Sequence, residues 1–363
     1  MFVARRKTRE VRLGPLVIGG DHPIRVQSMC STRTEDVAAT TEQVRRLEDA
    51  GCEIVRVAVP TREAADVLPQ IKKACRVPLV ADIHFNHRFA LKAIASGVDK
   101  VRLNPGNVGG KARVQEVVRA AKDAGVPIRI GVNSGSVERD LLEKYGYPTP
   151  EAMVESALRH VAMLEELDFR AIIVSIKSTD TSSAVKANRL FAAKTDIPLH
   201  IGITEAGLPP YASIKSAVGL GPLLLDGIGD TIRISLSVDP VEEIQVAYDI
   251  LKASGRRVTS PELIACPTCG RIEIDLEKLV KEIEAKLDGE KIPVKISVLG
   301  CAVNGPGEAR EADIGVAGAR GIGAIYRRGR LVRKVKESEL VPALLEEIAK
   351  FKAEADAEEG SKA

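Results

Sequence analysis

The sequence predicts an α/β protein in which a (β/α)8 TIM barrel is followed by a smaller α/β domain. Eight short apolar strand candidates alternate with amphipathic helical segments in the first part of the chain. A polar segment rich in Gly, Arg and Ser then precedes a second run of strands and helices. A chain of 363 residues is long enough for a barrel and one appendage. We therefore expect a barrel over residues 1–258, a second domain over 259–352 and a disordered tail over 353–363.

The eight strand candidates recur at the spacing of β-loop-α units. They are Ile24–Met29, Ile54–Val57, Leu79–Ile83, Lys100–Leu103, Ile128–Val132, Ala171–Ile176, Leu199–Ile203 and Thr231–Leu236. Helical patterns with apolar residues at three- and four-residue spacing lie between them, and glycines such as Gly51 and Gly125 mark helix ends. An open doubly wound sheet commonly has fewer strands, so the repeat favours a closed barrel.

Composition and charge argue against several classes of function. Hydrophobic residues make up 45% of the chain and charged residues 28%, as in ordinary globular proteins with a substantial core. Aromatic residues are only 3% and the net charge is only +3, which argues against nucleic-acid binding. The sequence lacks an apolar run that could span a membrane, and its basic N-terminus lacks the apolar stretch of a secretory signal. Six cysteines in such a chain favour a reducing, cytoplasmic location.

Polar and charged residues cluster where the predicted strands end. TIM barrels bind their ligands at this face, here termed the mouth. The candidates at or just after strand ends are Arg56, Asp82, His84, Arg102, Asn104, Arg129, Asn133, Lys177, Glu205, Arg233 and Ser235. Side chains alternate between the two faces of a strand, so the arginines point inward if their apolar neighbours pack on the outer helices.

The five cations of this set are costly to bring together unless an anion neutralises them. One guanidinium group can donate two parallel hydrogen bonds to two oxygens of a phosphate, so phosphate or diphosphate is the natural ligand of the mouth. The alternative is a structural polar layer in which the cations pair with acids of the barrel itself. The acids for such pairs are Glu53, Asp82, Glu205 and Asp230.

The second domain is predicted to be a small α/β unit that follows a linker. Its elements, in chain order, are helix Asp275–Leu287, strands Val294–Val298 and Ile314–Ala317, a hairpin of Ala324–Tyr326 and Leu331–Val335, and helix Glu339–Lys352. The residues after this helix are small and charged, which indicates a frayed tail.

Three cysteines in the second domain indicate a metal site. Cys266 and Cys269 are close enough in sequence for one turn to direct both sulfurs at the same ion, and Cys301 lies on a second loop. A fourth ligand must be a different group, and Glu308 is the acid that follows the Gly-Pro-Gly turn after Cys301. A structural zinc site stays open on spacing alone. The single thiol and the carboxylate of the second loop favour an iron–sulfur cluster with one replaceable ligand.

The path of the chain predicts a homodimer. The helix after strand eight, Val241–Ala253, runs back along the outside of the barrel and carries the chain about 20 Å away from the mouth. A short linker then leaves the metal domain far from the mouth of its own barrel. We therefore expect each metal domain to cap the barrel of the other subunit in a head-to-tail dimer.

Four motifs, in order along both domains, carry a resemblance to a known family. They are Val101-Arg-Leu-Asn-Pro-Gly-Asn107, Thr204-Glu-Ala-Gly207, Cys266-Pro-Thr-Cys269-Gly-Arg271 and Gly300-Cys-Ala-Val-Asn-Gly-Pro-Gly-Glu308. Through them the chain resembles the 4-hydroxy-3-methylbut-2-enyl diphosphate synthases of the methylerythritol phosphate route to isoprenoids, in their short bacterial form. The resemblance implies a [4Fe–4S] cluster held by Cys266, Cys269, Cys301 and Glu308, and a dimer of the kind described above.

The resemblance also implies a reaction and roles for the residues of the mouth. The reaction is the two-electron reductive ring opening of 2-C-methyl-D-erythritol 2,4-cyclodiphosphate, with flavodoxin or ferredoxin as electron donor. Asp82 orients His84 or a substrate hydroxyl, Glu205 is the candidate proton donor, and Glu308 is displaced from the cluster. The other residues named above for the mouth clamp the cyclic diphosphate. Two alternatives stay open: a pterin- or corrinoid-handling barrel enzyme, and a zinc-stabilised binding protein.

Overall fold

The computed structural model describes residues 3–267, 269, 271–301, 305–319 and 321–360. The chain divides into two compact units, Met1–Arg257 and Val258–Ala363. The first unit is a parallel barrel surrounded by helices, and the described part of the second is a mixed sheet with three helices. Among the helices of the described residues, none is both long enough and apolar enough to cross a membrane.

Eight parallel strands form the barrel, as the sequence predicts, and an additional hairpin precedes them. The strands of this unit are β1 (Val11–Leu13), β2 (Leu16–Ile18), β3 (Arg25–Met29), β4 (Ile54–Ala58), β5 (Leu79–Asp82), β6 (Lys100–Leu103), β7 (Ile128–Asn133), β8 (Ile172–Lys177), β9 (His200–Ile201) and β10 (Thr231–Ile232). The barrel strands pair in the order β8-β7-β6-β5-β4-β3-β10-β9. A parallel bridge between Val174 of β8 and Leu199, the residue before β9, closes the ring.

The barrel strands are covered on their outer side by helices. These are α1 (Val37–Asp49), α2 (Arg62–Ala74), α3 (His87–Ala95), α4 (Lys111–Ala124), α5 (Arg139–Tyr145), α6 (Pro150–Glu165), α7 (Thr181–Ala192), α8 (Tyr211–Leu225) and α9 (Glu242–Ala253). Side chains of Asp36, Thr61 and Thr149 each accept a backbone N–H bond in the first turn, as N-cap residues do. Outward strand residues such as Val55 and Val101 are fully buried in the core beneath the helices. Towards the mouth, the inner strand face is thereby left to the polar residues.

The antiparallel hairpin of β1 and β2 closes the barrel at the end opposite the mouth. It contributes to a separate apolar cluster, here termed the floor, whose buried members are Val11, Leu13, Ile18, Ile54, Val80 and Ile173. The sequence does not predict this hairpin, because three-residue strands are too short to show a periodicity. The floor means that charged groups above it have water only on the side of the mouth.

Two barrel strands are shorter than the sequence predicts. Strands are predicted at Leu199–Ile203 and Thr231–Leu236, but regular pairing is limited to the two residues of β9 and the two of β10. The two segments still run side by side, because the N–H of Arg233 donates to the carbonyl of Ile201 at 3.1 Å. A Cβ atom at Gly202 would lie 2.5 Å from the carbonyl oxygen of Arg233. This close backbone approach requires glycine and replaces the regular ladder near the mouth.

The second unit is a five-stranded mixed sheet with its own core. Its elements are β11 (Glu262–Ala265), α10 (Leu276–Leu287), β12 (Lys295–Leu299), α11 (Gly305–Glu308), β13 (Ile314–Ala319), β14 (Ile322–Arg327), β15 (Arg330–Lys336) and α12 (Leu340–Gly360). β11, β12 and β13 run parallel, and β14 and β15 return antiparallel. The sequence misses β11, whose residues are half-buried or, at Ala265, exposed. It also ends the last helix at Lys352, whereas α12 continues to Gly360 through most of the expected tail.

Candidate active site

The mouth collects inward-facing charged residues from six of the barrel strands. They are Arg56 of β4, Asp82 of β5, Arg102 of β6, Arg129 of β7, Lys177 of β8 and Arg233, which directly follows β10. Strand register places some of them side by side, because Arg102 is the partner of Asp82 on one side and of Arg129 on the other. The structure therefore brings together all five cations named from the sequence.

Asp82 is the carboxylate that holds two of these cations. Its side chain is 0% exposed and accepts hydrogen bonds from the guanidinium groups of Arg56 and Arg102, the latter at 3.0 Å. Burial by itself raises the pKa of Asp82, but the positive charges of the two arginines outweigh it and hold the pKa below its ordinary value. His84 Nε2 lies 3.5 Å from Asp82 Oδ2, so the contact expected between these two residues is present.

A second carboxylate, Glu243, reaches the mouth from helix α9. Glu243 is 2% exposed, and its carboxylate oxygens lie 3.4 Å from Nε and Nη2 of Arg233. The same carboxylate accepts a hydrogen bond from Ser28 Oγ at 2.7 Å and one from the N–H of Leu236 at 3.2 Å. Sequence reasoning missed this acid. The available signal was its position four residues before the buried Ala247, on the apolar face of the helix.

Arg129 and Lys177 lack a carboxylate of their own. They are 1% and 7% exposed, and the pKa of each is held well below its ordinary value, first by burial and then by neighbouring positive charges. Neither forms an ion pair within the part of the chain that the structure describes. The five cations of the mouth thus face two carboxylates, Asp82 and Glu243, and three positive charges are left without a counterion.

The alternative of a structural polar layer holds only in part. Glu53 accepts from Arg25 at 2.7 Å and from Arg257 at 2.6 Å, and Asp230 pairs with Arg5 at 3.0 Å. Both acids directly precede their strands, so they lie at the end of the barrel opposite the mouth. Of the four acids that the sequence offered, only Asp82 neutralises cations of the mouth.

Glu205 occupies the rim of the mouth in an unusual backbone conformation. It follows β9, is exposed to solvent and has a φ of 54°, in the left-handed region that residues other than glycine seldom adopt. Within the described residues it forms neither a hydrogen bond nor an ion pair. The salt bridge to an arginine of the mouth that the alternative of a polar layer requires of Glu205 is therefore absent, and its carboxyl group faces solvent.

One neutral residue of the mouth, Asn104, lies on a loop that other side chains support. Asn104 is 3% exposed, and its Oδ1 accepts from the N–H of Gly106 at 3.0 Å. A Cβ atom at Gly106 would lie 3.3 Å from the ring of His160 on α6, and Nε2 of this ring is 2.7 Å from Glu138 Oε1. Burial raises the pKa of Glu138, but the neighbouring side chains of His160 and Ser156 outweigh it and bring it to about 2. The loop after β6 thus lies against the contact between His160 and Glu138, which sequence reasoning also missed.

Asn133 and Ser235 complete the set named from the sequence. Asn133 is the last residue of β7, and Ser235 follows β10 by three positions; both side chains are half-buried. Their side chains add neutral hydrogen-bonding groups near a mouth whose other members are mostly charged.

Cysteines of the second unit follow two neighbouring parallel strands. Ala265 at the end of β11 is the register partner of Val298 in β12. Cys266 and Cys301, which come just after these strands, therefore lie at the same edge of the sheet. The N–H of Gly300 donates to Cys266 Sγ at 3.5 Å, which ties the two loops together.

Arg271 connects the third cysteine to this edge. The backbone N–H and then the side chain of Arg271 lower the pKa of Cys269, which favours the thiolate. The pKa of Arg271 is in turn raised by its bond to Cys269 and by the charges of Cys301 and Cys266. All three sulfurs are thus within electrostatic reach of one guanidinium group.

The fourth expected ligand, Glu308, ends the short helix α11 and is exposed. Residues 302–304 of the same loop lie outside the described residues. In the described part of the chain, no group of three His, Cys, Asp or Glu side chains is close enough to hold a metal ion. The donor set nonetheless fits an iron–sulfur cluster, because two cysteines follow one sheet edge and Arg271 stabilises the third as a thiolate.

Models of known protein families match both units of the chain. The GcpE TIM-barrel domain matches residues 8–248, and the GcpE protein C-terminal domain matches residues 262–350. A relative from Geobacillus thermodenitrificans, named 4-hydroxy-3-methylbut-2-en-1-yl diphosphate synthase (flavodoxin), is 59% identical over 96% of this chain and 94% of its own. A relative of the same name from Symbiobacterium thermophilum is 55% identical over 97% and 95%, respectively. Among solved structures, the dihydropteroate synthase of Yersinia pestis matches 68% of this chain and 98% of its own, at 10% identity and a TM-score of 0.48.

Proposed function

The chain belongs to the GcpE family, and from this premise we propose which of its residues carry out the reaction. The enzyme opens the ring of 2-C-methyl-D-erythritol 2,4-cyclodiphosphate by a two-electron reduction. The products are 4-hydroxy-3-methylbut-2-enyl diphosphate, a precursor of isoprenoids, and water. The matches to both units favour this reaction over a pterin- or corrinoid-handling barrel enzyme and over a zinc-stabilised binding protein.

The surplus of positive charge in the mouth is the observation that carries the proposed binding mode. The five cations of the mouth exceed its two carboxylates by three positive charges, and uncompensated buried charge is costly. A cyclic diphosphate has one ionised oxygen on each phosphate group and so carries about two negative charges near neutral pH. Two oxygens of a phosphate group can accept two parallel hydrogen bonds from one guanidinium group. We expect the substrate to supply most of the missing negative charge.

The substrate clamp that we propose combines the cations with the neutral residues around them. Its members are Arg56, Asp82, His84, Arg102, Asn104, Arg129, Asn133, Lys177, Arg233 and Ser235. Asp82 already holds Arg56 and Arg102 in place, and Glu243 holds Arg233. The three guanidinium groups are therefore oriented before substrate arrives, which reduces the entropy that binding must overcome.

Glu205 is the proposed proton donor to the departing hydroxyl group. Its exposed carboxyl group is not bound to another described residue, and its left-handed backbone conformation is held by the structure around it. Glu205→Gln keeps the size of the side chain and removes its acidic proton. We expect turnover to fall while KM changes little, and turnover at the wild-type rate would remove Glu205 from the mechanism.

A [4Fe–4S] cluster is the proposed cofactor, with Cys266, Cys269, Cys301 and Glu308 as ligands. When bound, the cluster supplies electrons for the reduction. Residues of the chain prepare its site, because Arg271 stabilises the Cys269 thiolate and the pairing of β11 with β12 aligns the other two cysteines. Glu308 is the proposed exchangeable ligand, since its side chain is exposed whereas Cys301 is 6% exposed.

Flavodoxin is the proposed electron donor, because the curated relatives are named for it. The sequence alone leaves ferredoxin equally open.

A head-to-tail homodimer is also part of the proposal. Helix α9 follows the last barrel strand and leads away from the mouth for about 18 Å before the second unit begins at Val258. We therefore propose that the cluster domain of one subunit serves the barrel of the other. Mixing a barrel variant with a cluster variant is expected to restore activity by subunit exchange. A mixture no more active than its two components contradicts the dimer.

Anaerobic purification, followed by absorption spectroscopy and iron and sulfide analysis, tests the function together with turnover of the cyclic diphosphate. We expect a coloured protein with about four iron and four sulfide atoms per chain. Cys301→Ser is expected to lose most of this iron, whereas Cys75→Ser, a change at a half-buried thiol of the barrel, keeps it. A colourless, zinc-loaded wild-type protein would overturn the proposed chemistry and leave the barrel fold unaffected.

A further inference from the structure

Four polar side chains deep inside the barrel form a group that the proposed reaction does not explain. They are Gln27 of β3, Lys100 of β6, Arg129 of β7 and His200 of β9, each at most 1% exposed. All four occupy inward positions, because neighbouring strand residues such as Val101 belong to the core on the helix side. This group is here termed the buried cage.

Lys100 and Arg129 lie on the neighbouring strands β6 and β7, and electrostatic effects connect both with His200. The pKa of His200 is held well below its ordinary value by burial and then by the positive charges of Arg129, Lys177 and Lys100. The pKa of Lys100 is likewise held well below its ordinary value by burial and then by Arg129 and Arg56. Gln27 faces the same interior, which in an eight-stranded barrel is only wide enough for side chains to fill.

Several polar atoms of the cage have no hydrogen-bond partner among the described residues. These atoms are Lys100 Nζ, Arg129 Nε, Arg129 Nη1, His200 Nε2, Gln27 Nε2 and Gln27 Oε1. His200 Nδ1 lies 2.8 Å from Thr231 Oγ1, so Nε2 can carry the ring proton and donate. Five of the six unpaired atoms are then donors, and only one is an acceptor. The apolar floor offers them no partner from below.

This imbalance distinguishes an anion from water as the missing partner. A water molecule accepts about two hydrogen bonds and needs acceptors for its own two protons. The cage offers one acceptor, so water would leave most of the donors unpaired or lose its own bonds. A small anion accepts from several donors at once and also compensates the buried charge of Lys100 and Arg129.

We propose that the buried cage binds a small inorganic anion of the halide class, beneath the position of the substrate phosphates. The anion is bound by Lys100 Nζ, Arg129 Nε and Nη1, His200 Nε2 and Gln27 Nε2. It neutralises the lower part of the barrel and holds Arg129 in place. The site is independent of the iron–sulfur chemistry, so its test does not depend on turnover.

Thermal unfolding of the full-length oxidised protein tests the proposal. Melting is recorded in sodium gluconate and in sodium chloride at the same ionic strength, with the cyclic diphosphate present to occupy the mouth. We expect chloride to raise Tm by about 3 °C in a saturable manner, because an anion that binds only the folded state stabilises it. Wild-type Tm values that agree in the two salts would overturn the proposal.

Three variants locate the effect. Lys100→Met replaces the buried ammonium group with an apolar side chain of similar length, a kind of change that folded proteins often tolerate, and it should abolish the chloride response. Lys73→Met, at an exposed residue of α2, should retain it. A full chloride response in Lys100→Met contradicts the site. Gln27→Leu, which removes one donor, should weaken the response if Lys100→Met does not fold.

Bromide offers a measurement that needs no variant. Crystals of the wild-type protein grown in bromide are expected to show an anomalous peak within hydrogen-bonding distance of Lys100 Nζ and Arg129 Nε. Peaks confined to the mouth or to the surface would overturn the proposal.

Discussion

Asp82→Asn separates the structural role of the mouth from its role in binding. The substitution keeps the shape of the side chain, but it replaces a carboxylate oxygen with an NH₂ group that faces a guanidinium donor. Arg56 and Arg102, whose side chains are 12% and 13% exposed, then share one neutral acceptor in place of a fully buried carboxylate. The substitution therefore leaves these two buried cations without a counterion.

The expected loss of stability is large. Removing one partner of a buried ion pair costs about 3–5 kcal/mol, because the remaining charge stays buried and unpaired. At about 2–4 °C per kcal/mol for a domain of this size, the Tm of the barrel should fall by roughly 10 °C. Asp196→Asn is the matched control. Asp196 pairs with Arg9 at 2.5 Å but is 54% exposed, so its loss should cost under about 1 kcal/mol.

Thermal melts with and without the cyclic diphosphate provide the assay. Substrate phosphates can take the place of the lost carboxylate, so substrate should raise the Tm of Asp82→Asn by more than it raises that of the wild type. A variant with wild-type Tm, or one whose response to substrate equals that of the wild type, would refute the reasoning.

The wild type and Asp82→Asn should also differ in how their thermal stability depends on pH. Because the folded-state pKa of Asp82 lies below its ordinary value of 3.8, its contribution to stability is complete above that value and is lost as the pH falls below it. The difference in Tm between wild type and Asp82→Asn should therefore be greatest near about pH 7 and shrink towards about pH 3. A difference that stays constant over this range would show that charge is not its source.

Two further predictions concern helices of the barrel. Gly219→Ala should destabilise the protein by about 1–3 kcal/mol in denaturant unfolding, because its Cβ atom would lie 2.4 Å from Ile203 Cδ1. Gly221→Ala in the same helix, with no atom within 4 Å, should stabilise it by about 0.5–1 kcal/mol, and the opposite order would contradict the packing argument. Glu243→Gln should raise KM for the cyclic diphosphate about tenfold, because Arg233 loses the charge that orients it. Glu242→Gln, at the exposed neighbour, should leave KM unchanged, and equal effects of the two would refute a positioning role.

Much of the barrel could be predicted because its strands alternate between apolar and charged residues. Val55-Arg56-Val57 and Val101-Arg102-Leu103 each show which face packs on the helices, and so they place the arginines inside. The convergence of the cations then follows from the closure of the ring. The alternation within each strand was sufficient to predict that the arginines point inward, because the strand period and the closed barrel together determine the direction of a side chain.

The parts that could not be predicted depend on contacts between distant segments. Glu243 and Lys100 are charged residues whose complete burial is decided by the packing of other elements and not by their own neighbours. The pairing of Glu53 with Arg257 likewise joins positions far apart in sequence. A charged side chain in a helix or at the start of a strand is usually exposed, so pattern alone assigns it to the surface.

The hairpin that closes the floor of the barrel has a consequence for the order of folding. The hairpin precedes all eight barrel strands in the sequence, yet the nearby Arg5 pairs with Asp230, 225 positions later, and Val11 packs in the same cluster as Ile173. Contacts of such long range form slowly, and a nascent chain that still lacks them exposes apolar surface. The floor can therefore be completed only after nearly all of the barrel has been synthesised, so the hairpin that precedes the barrel strands is among the last parts to be sealed.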